Sequence, residues 1–169
     1  GLSGDGRYVA FRCTATNLSN EDGEFQDIFR YDRAIGETTL VSLSPQGAAN
    51  GASGGAAISA DGRSILFTSA AGNLVSDDSN ESTDIFRKDT VTGEVIRLSQ
   101  SASGGEGNRN SWGATISADG SVIAFESQAT NLVPGDTNGL PDIFVTDLET
   151  PLARYLYLPL IQREAPSTP

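Results

Sequence analysis

The sequence has no histidine, no methionine and only one cysteine, Cys13, among its 169 residues. Without histidine, Ser-His and Cys-His nucleophilic catalysis are excluded, and most zinc sites lose their usual ligands. The single cysteine excludes an intrachain disulfide, and its position predicts a small, half-buried residue at the end of a strand. Any catalysis would therefore have to use carboxylates, Lys88, tyrosines or a bound metal.

Long apolar runs and basic residues are also scarce. No stretch approaches the roughly 18 apolar residues that a membrane helix needs, so no membrane span is predicted. The 11 Lys and Arg residues stand against 22 Asp and Glu residues, which gives a net charge of −11. Nucleic acid is excluded as a partner, because phosphate binding needs clustered Lys and Arg. Cations and basic surfaces are better candidates.

Two short segments each occur three times along the chain. The first is SGDGRYVAF at 3–11, SADGRSILF at 59–67 and SADGSVIAF at 117–125. The second is DIFRYD at 27–32, DIFRKD at 84–89 and DIFVTD at 142–147. Because both segments return at nearly the same spacing, the chain is built from three copies of one structural unit.

Each unit predicts four short β-strands, called a to d here, and no helix. In the second unit they are expected at 55–59, 63–69, 84–89 and 94–99. Gly62 and Gly93 lie in tight a–b and c–d turns, where glycine adopts a positive φ without strain. Adjacent apolar residues in strands b and c point to opposite faces, so both faces of each sheet must be covered. The predicted fold is all-β, with three four-stranded antiparallel blades of the β-propeller type.

The pattern ISADG-x-x-x-x-F, followed by DIF-x-x-D and a TGE turn, resembles the TolB-like, WD-like β-propeller repeat of bacterial proteins. The resemblance covers roughly residues 1–158. It implies an extracellular, cell-surface or periplasmic location, and TolB itself implies a partner in an envelope complex. No residue of this sequence identifies such a partner here, and the repeat fixes no activity.

The predicted units are blade 1 at 1–44, which lacks most of its first strand, blade 2 at 45–99 and blade 3 at 100–158. A proline-containing tail follows at 159–169. Propellers usually need 4–8 blades, so three would leave the ring open. Either the sequence is the C-terminal part of a longer propeller, or a second copy completes a six-bladed ring.

The b–c segments 17–27, 73–84 and 131–142 contain ten acidic residues and no Lys or Arg. In a propeller blade these segments leave the same end as the long d–a loops, here 44–55 and 100–112. Long loops on a rigid scaffold are where binding usually resides. The sequence therefore predicts an acidic loop face for an unidentified protein or carbohydrate.

The b–c segments also predict calcium sites, because calcium prefers several carboxylate and amide oxygens on one loop. The candidate ligands are Asp136, Asn138 and Asp142 in blade 3, Asp78, Asn80 and Asp84 in blade 2, and Asn20, Asp22 and Asp27 in blade 1. The blade 3 set is the best candidate, although no segment has the EF-hand pattern. The alternative is that these side chains form Asx-turns and cap the start of strand c without an ion.

Three functions agree with this pattern. The main prediction is a non-catalytic binding module, with no enzymatic activity in this chain. The alternatives are an accessory propeller of a larger hydrolase and a carboxylate- or metal-dependent propeller that acts on glycans. Asn17, Asn73 and Asn131, which recur before leucine, are predicted to bond the backbone of their own loop.

Overall fold

The computed structural model describes residues 1–45, 47–101 and 103–148, together with the strand at 156–158. The strands are β1 Tyr8–Cys13, β2 Asp27–Asp32, β3 Glu37–Leu40, β4 Leu43–Ser44, β5 Gly47–Ala48, β6 Ser53–Ile58, β7 Ser64–Ser69, β8 Asp84–Asp89, β9 Val95–Arg97, β10 Ser111–Ile116, β11 Val122–Ser127, β12 Asp142–Asp147 and β13 Leu156–Leu158. No helix occurs in this part of the chain, and so none that could cross a membrane. The all-β prediction is confirmed.

Three antiparallel sheets follow one another along the chain. Their strand orders are β1-β2-β3, β6-β7-β8-β9 and β10-β11-β12-β13, and β4-β5 forms a separate hairpin. The first sheet has only a trace of strand a, an isolated bridge between Leu2 and Val9. Over the described residues the three sheets are propeller blades that form no closed ring. The β4-β5 hairpin was not predicted, because two-residue strands leave no readable alternation in a sequence.

The a–b turns owe their shape to a serine and an aspartate that recur in all three blades. In blade 2 the Ser59 hydroxyl donates to Asp61 Oδ1 at 2.5 Å, and the same oxygen accepts the Arg63 N–H at 2.9 Å. Gly62 has a φ of 74°, as the turn requires. Equivalent Ser–Asp bonds of 2.7 and 2.6 Å occur in blades 1 and 3. The predicted turn chemistry is therefore confirmed.

Apolar side chains from both faces of the central blade form two cores. The core between blades 1 and 2 contains Ala10, Ile28, Val41, Ala49, Ile65, Phe67, Ala71, Leu74 and Phe86. The core between blades 2 and 3 contains Leu66, Ile85, Leu98, Ile123, Phe125, Ala129, Leu132 and Phe144. Neighbours such as Leu66 and Phe67 thus enter different cores, as predicted for strands covered on both faces. Within blade 2, Phe67 stacks on Phe86 with ring centroids 5.7 Å apart.

A buried carboxylate marks the start of strand c in every blade. Asp27, Asp84 and Asp142 are each 0% exposed. In blade 1, the Ser42 hydroxyl donates to Asp27 Oδ1 at 2.6 Å and accepts the Ile28 N–H at 3.0 Å. Ser99 makes the same two bonds in blade 2. The end of strand d therefore holds the start of strand c in place, directly beneath the acidic loops.

Replacing Phe67 by alanine should lower the free energy of unfolding by about 3–5 kcal/mol, because the ring is fully buried between two blades. Urea unfolding followed by circular dichroism measures this change. The matched control is Val91→Ala, since Val91 is 74% exposed and its truncation should cost less than about 0.5 kcal/mol. Equal losses in the two variants would contradict the described core.

Candidate functional site

The b–c and d–a loops interlock at one end of the blades. We call this end the loop face; it consists of segments 17–27, 73–84 and 131–142 and of connections 41–52 and 98–110. The Asn73 side chain donates to Ala48 O at 3.0 Å and accepts the Asn50 N–H at 3.0 Å. Asn131 bonds Glu106 O at 2.9 Å and Asn108 N at 3.0 Å in the same way. The prediction that these asparagines bond their own loop is wrong, because their partners lie on the preceding d–a loop.

In blades 2 and 3 the structure brings the predicted metal-binding residues together. Asn80 Nδ2 donates to Asp84 Oδ2 at 3.1 Å, and its Oδ1 accepts the Ser82 N–H at 2.7 Å. Asn138 Nδ2 lies 3.2 and 3.3 Å from the two Asp142 oxygens, and its Oδ1 accepts the Leu140 N–H at 2.8 Å. Both amides thus form the alternative Asx-turns, in which their oxygens accept backbone N–H groups of the loop.

Blade 1 has a different arrangement. Asn20 is exposed, whereas Asp22 lies close enough to Asp27 for its charge to act on that carboxyl. Asp22 corresponds to Asn80 of blade 2. Blade 1 therefore has a carboxylate at the position where the other two blades have an amide that donates a hydrogen bond. One of the three predicted blade 1 ligands is therefore outside the cluster.

Arg97 is a site residue that sequence reasoning missed. Its side chain is 0% exposed and lies 3.0 Å from Asp77 Oδ2, 3.6 Å from Asp78 Oδ1 and 3.5 Å from Glu106 Oε2. Strand pairing places it opposite Phe86, the position that Leu40 has opposite Phe29 in blade 1. A charged residue at a position that is apolar in a sister repeat was the signal that could have identified it.

Burial controls the electrostatics of these clusters. It raises the pKa of Asp78 to about 6, with Asp84 adding to the shift and Arg97 opposing it. Burial also raises the pKa of Asp84, against the hydrogen bonds from Ser99 and Asn80. The pKa values of Asp27 and Asp136 are raised by burial and by the neighbouring Asp22 and Asp142 respectively. Keeping these loop carboxylates ionised therefore costs free energy.

The acids of the loop face lie in two layers. The inner layer is buried or half-buried and contains Asp22, Asp27, Asp78, Asp84, Asp136 and Asp142. The outer layer is exposed and contains Glu21, Glu24, Asp77 and Glu81. Only the outer layer is presented to a partner, so the charge available for binding is smaller than the sequence count indicates.

No group of three or more His, Cys, Asp or Glu side chains that could hold a metal ion occurs among residues 1–45, 47–101 and 103–148. Each inner cluster offers two carboxylates, so a cation would also need amide, backbone or water oxygens to reach the six to eight that calcium prefers. The calcium sites remain a prediction.

Cys13 is half-buried, as predicted. Strand pairing aligns it with Ser69 and Ser127, each opposite the first aspartate of strand c.

No protein-family model and no curated protein matches the sequence. Among solved structures, TolB from Acinetobacter baumannii matches with a TM-score of 0.55 and 22% identity, over 92% of this chain and 31% of that one. A putative TolB from Agrobacterium tumefaciens matches with a TM-score of 0.57 and 20% identity, over 92% and 47%. The β-propeller domain of the Trilobed protease from Pyrococcus furiosus matches with a TM-score of 0.58 and 15% identity, over 92% and 40%.

These likenesses show that the chain has the fold of the TolB-like β-propellers. The chain spans less than half the length of each of these proteins.

Replacing Asn73 by alanine should lower the free energy of unfolding by about 1–2 kcal/mol, because two backbone groups of the preceding d–a loop, Ala48 O and the Asn50 N–H, lose their bonding partner. Chemical denaturation measures the loss. Asn17→Ala is the matched control, since Asn17 has the same sequence context but is exposed and makes no such bond among the described residues. Similar losses in both variants would contradict the interlocking role of Asn73.

In the presence of chelator, the melting temperature should rise when the pH falls from about 7 to about 5. The folded-state pKa of Asp78, about 6, exceeds the unfolded value of about 3.9, so the folded chain binds the proton more tightly and gains stability as the pH falls. The raised pKa values of Asp27, Asp84 and Asp136 act in the same direction.

Asp78→Asn should reduce this rise. Glu24→Gln, which removes an exposed carboxylate from the blade 1 segment of the loop face, should retain it and so controls for net charge. A melting temperature that is constant or falls over this pH range in the wild type would contradict the assignment.

Proposed function

We propose that the chain is a non-catalytic β-propeller module, secreted, on the cell surface or in the periplasm, that binds a basic segment of a partner protein through its loop face. The observation that carries the proposal is the outer layer of exposed acids, of which Asp77 and Glu81 lie on the segment that Asn73 holds to the preceding loop. A rigid, negatively charged surface favours a positively charged partner with little loss of loop entropy. The absence of histidine supports a non-catalytic role.

The backbone at Glu81 supports the same surface. Glu81 has a φ of 54°, in the left-handed region that favours glycine, and blade 3 has Gly139 with a φ of 67° at this position. The Glu81 side chain is exposed and makes no ion pair with the described residues. An acid in a strained conformation without an internal partner is a feature expected where a side chain serves binding.

An oligolysine peptide is a suitable probe, with affinity measured by isothermal titration calorimetry at low and high salt. The double variant Glu24→Gln/Glu81→Gln should weaken binding at low salt at least about threefold, because two outer-layer charges are lost. The matched control is Glu37→Gln/Glu94→Gln, which removes two exposed charges beside the c–d turns at the opposite end of the sheets. Equal effects of the two double variants, or no binding, would refute the proposal.

An accessory role in a larger hydrolase is the second candidate, supported by the likeness to the Trilobed protease propeller. A propeller that receives peptides in general would bind without a preference for charge. A neutral peptide of the same length that binds as tightly as oligolysine, with no response to Glu24→Gln/Glu81→Gln, would favour this candidate.

A further inference from the structure

The three inner acidic clusters balance their negative charge in different ways. In blade 2 the balance comes from the chain itself. The Arg97 guanidinium reaches Asp78 Oδ1 at 3.6 Å, and Asn80 donates to Asp84 Oδ2. Neither Asp78 nor Asp84 has a buried oxygen without a hydrogen-bond partner among the described residues. Blade 2 thus provides an internal reference in which Asp84 is hydrogen-bonded and Asp78 faces a buried guanidinium.

Blade 1 has neither of these groups. Leu40 occupies the position of Arg97, and Asp22 replaces the amide. Asp22 Oδ2 accepts the Leu18 N–H at 3.3 Å, and Asp27 Oδ1 accepts the Ser42 hydroxyl at 2.6 Å. The other oxygen of each carboxylate, Asp22 Oδ1 and Asp27 Oδ2, is buried and has no hydrogen-bond partner in the described part of the chain.

Blade 3 retains the amide, and its strand d has a tyrosine rather than an arginine at the position of Arg97. Asn138 bonds Asp142, as Asn80 bonds Asp84. Strand pairing places Tyr157 opposite Phe144, at the position that Arg97 has in blade 2. Asp136 is 8% exposed, and its Oδ1 is buried without a hydrogen-bond partner among the residues that the structure describes. Asp136 also lies close enough to Asp142 for the two charges to interact.

Buried carboxylate oxygens without a partner are costly, since a charge taken out of water needs a counter-charge or a donor. They occur here in the two blades that lack Arg97, and they are absent from the blade that has it. We infer that blades 1 and 3 each bind one calcium ion, through Asp22 with Asp27 and through Asp136 with Asp142, while Arg97 takes the place of the ion in blade 2.

Calcium suits these sites because it accepts hard oxygen ligands in variable number and geometry, whereas magnesium demands a regular octahedron. With two carboxylates a site, the remaining ligands are backbone oxygens or water. The charge of such sites places them in the range of extracellular calcium modules, with a Kd of about 10⁻⁴–10⁻³ M. The inference concerns the inner layer of the proposed loop face and does not depend on which partner the outer layer binds.

The test is isothermal titration calorimetry of calcium chloride into the chelator-treated chain at neutral pH. The wild type should bind two ions, and Asp22→Asn and Asp136→Asn should each bind one. Both substitutions remove a carboxylate that has one buried oxygen without a hydrogen-bond partner among the described residues, and Asp22→Asn restores the amide found at Asn80 and Asn138. Both variants should therefore melt higher than the wild type in chelator, which shows that they fold. Saturating calcium should raise the wild-type melting temperature by about 3–10 °C per site.

Asp78→Asn is the matched control, because it removes the equivalent acid from the blade that has its own guanidinium. It should still bind two calcium ions. The inference is overturned if the wild type binds none, or if Asp78→Asn loses a site as the other variants do. If protons rather than calcium neutralise these carboxylates, no calcium binds, and this too overturns it. None of these outcomes depends on oligolysine binding, so the proposed function stands or fails separately.

Discussion

Each blade depends on a carboxylate that is removed from water at the start of its third strand. Burying this charge is unfavourable unless hydrogen bonds compensate it. In blades 1 and 2 a serine at the end of strand d bonds both the carboxylate and the next backbone N–H. This bond fixes where strand c begins. The isoleucine and phenylalanine that follow consequently point to opposite faces of the sheet, and each packs on its own side of the blade.

The same constraint extends into the loops above. One carboxylate oxygen is satisfied by the serine, and the loop must satisfy the other. Blades 2 and 3 use an asparagine amide, whereas blade 1 places Asp22 there and concentrates charge instead. In blade 2 the Arg97 guanidinium opposes the negative charge of Asp78. Loop positions that look equivalent in the sequence therefore differ in net charge and in how far side chains of the chain itself oppose that charge.

Within the loop face, different residues provide the rigidity and the exposed charge. Asn73 and Asn131 join the b–c segments of blades 2 and 3 to the preceding d–a loop, which gives this part of the surface a fixed shape. The inner aspartates are buried or half-buried beneath the loops, and the outer glutamates face solvent. The proposed binding surface thus rests on an inner layer of buried or half-buried aspartates, and the acidic residues of one segment belong to two different layers.

The sequence alone determined the blade architecture, because its signals are local. Strand c of blade 2 was predicted at 84–89, as observed, and the turn glycines and stacked phenylalanines follow from alternation and turn chemistry over a few residues. The nine candidate ligands were also found from their spacing, but not their arrangement. The tertiary structure decided that Asn20 is excluded, that Arg97 enters a loop 20 residues away, and that Asn131 bonds a loop 25 residues earlier. Such contacts depend on how neighbouring blades pack, and no local pattern encodes them.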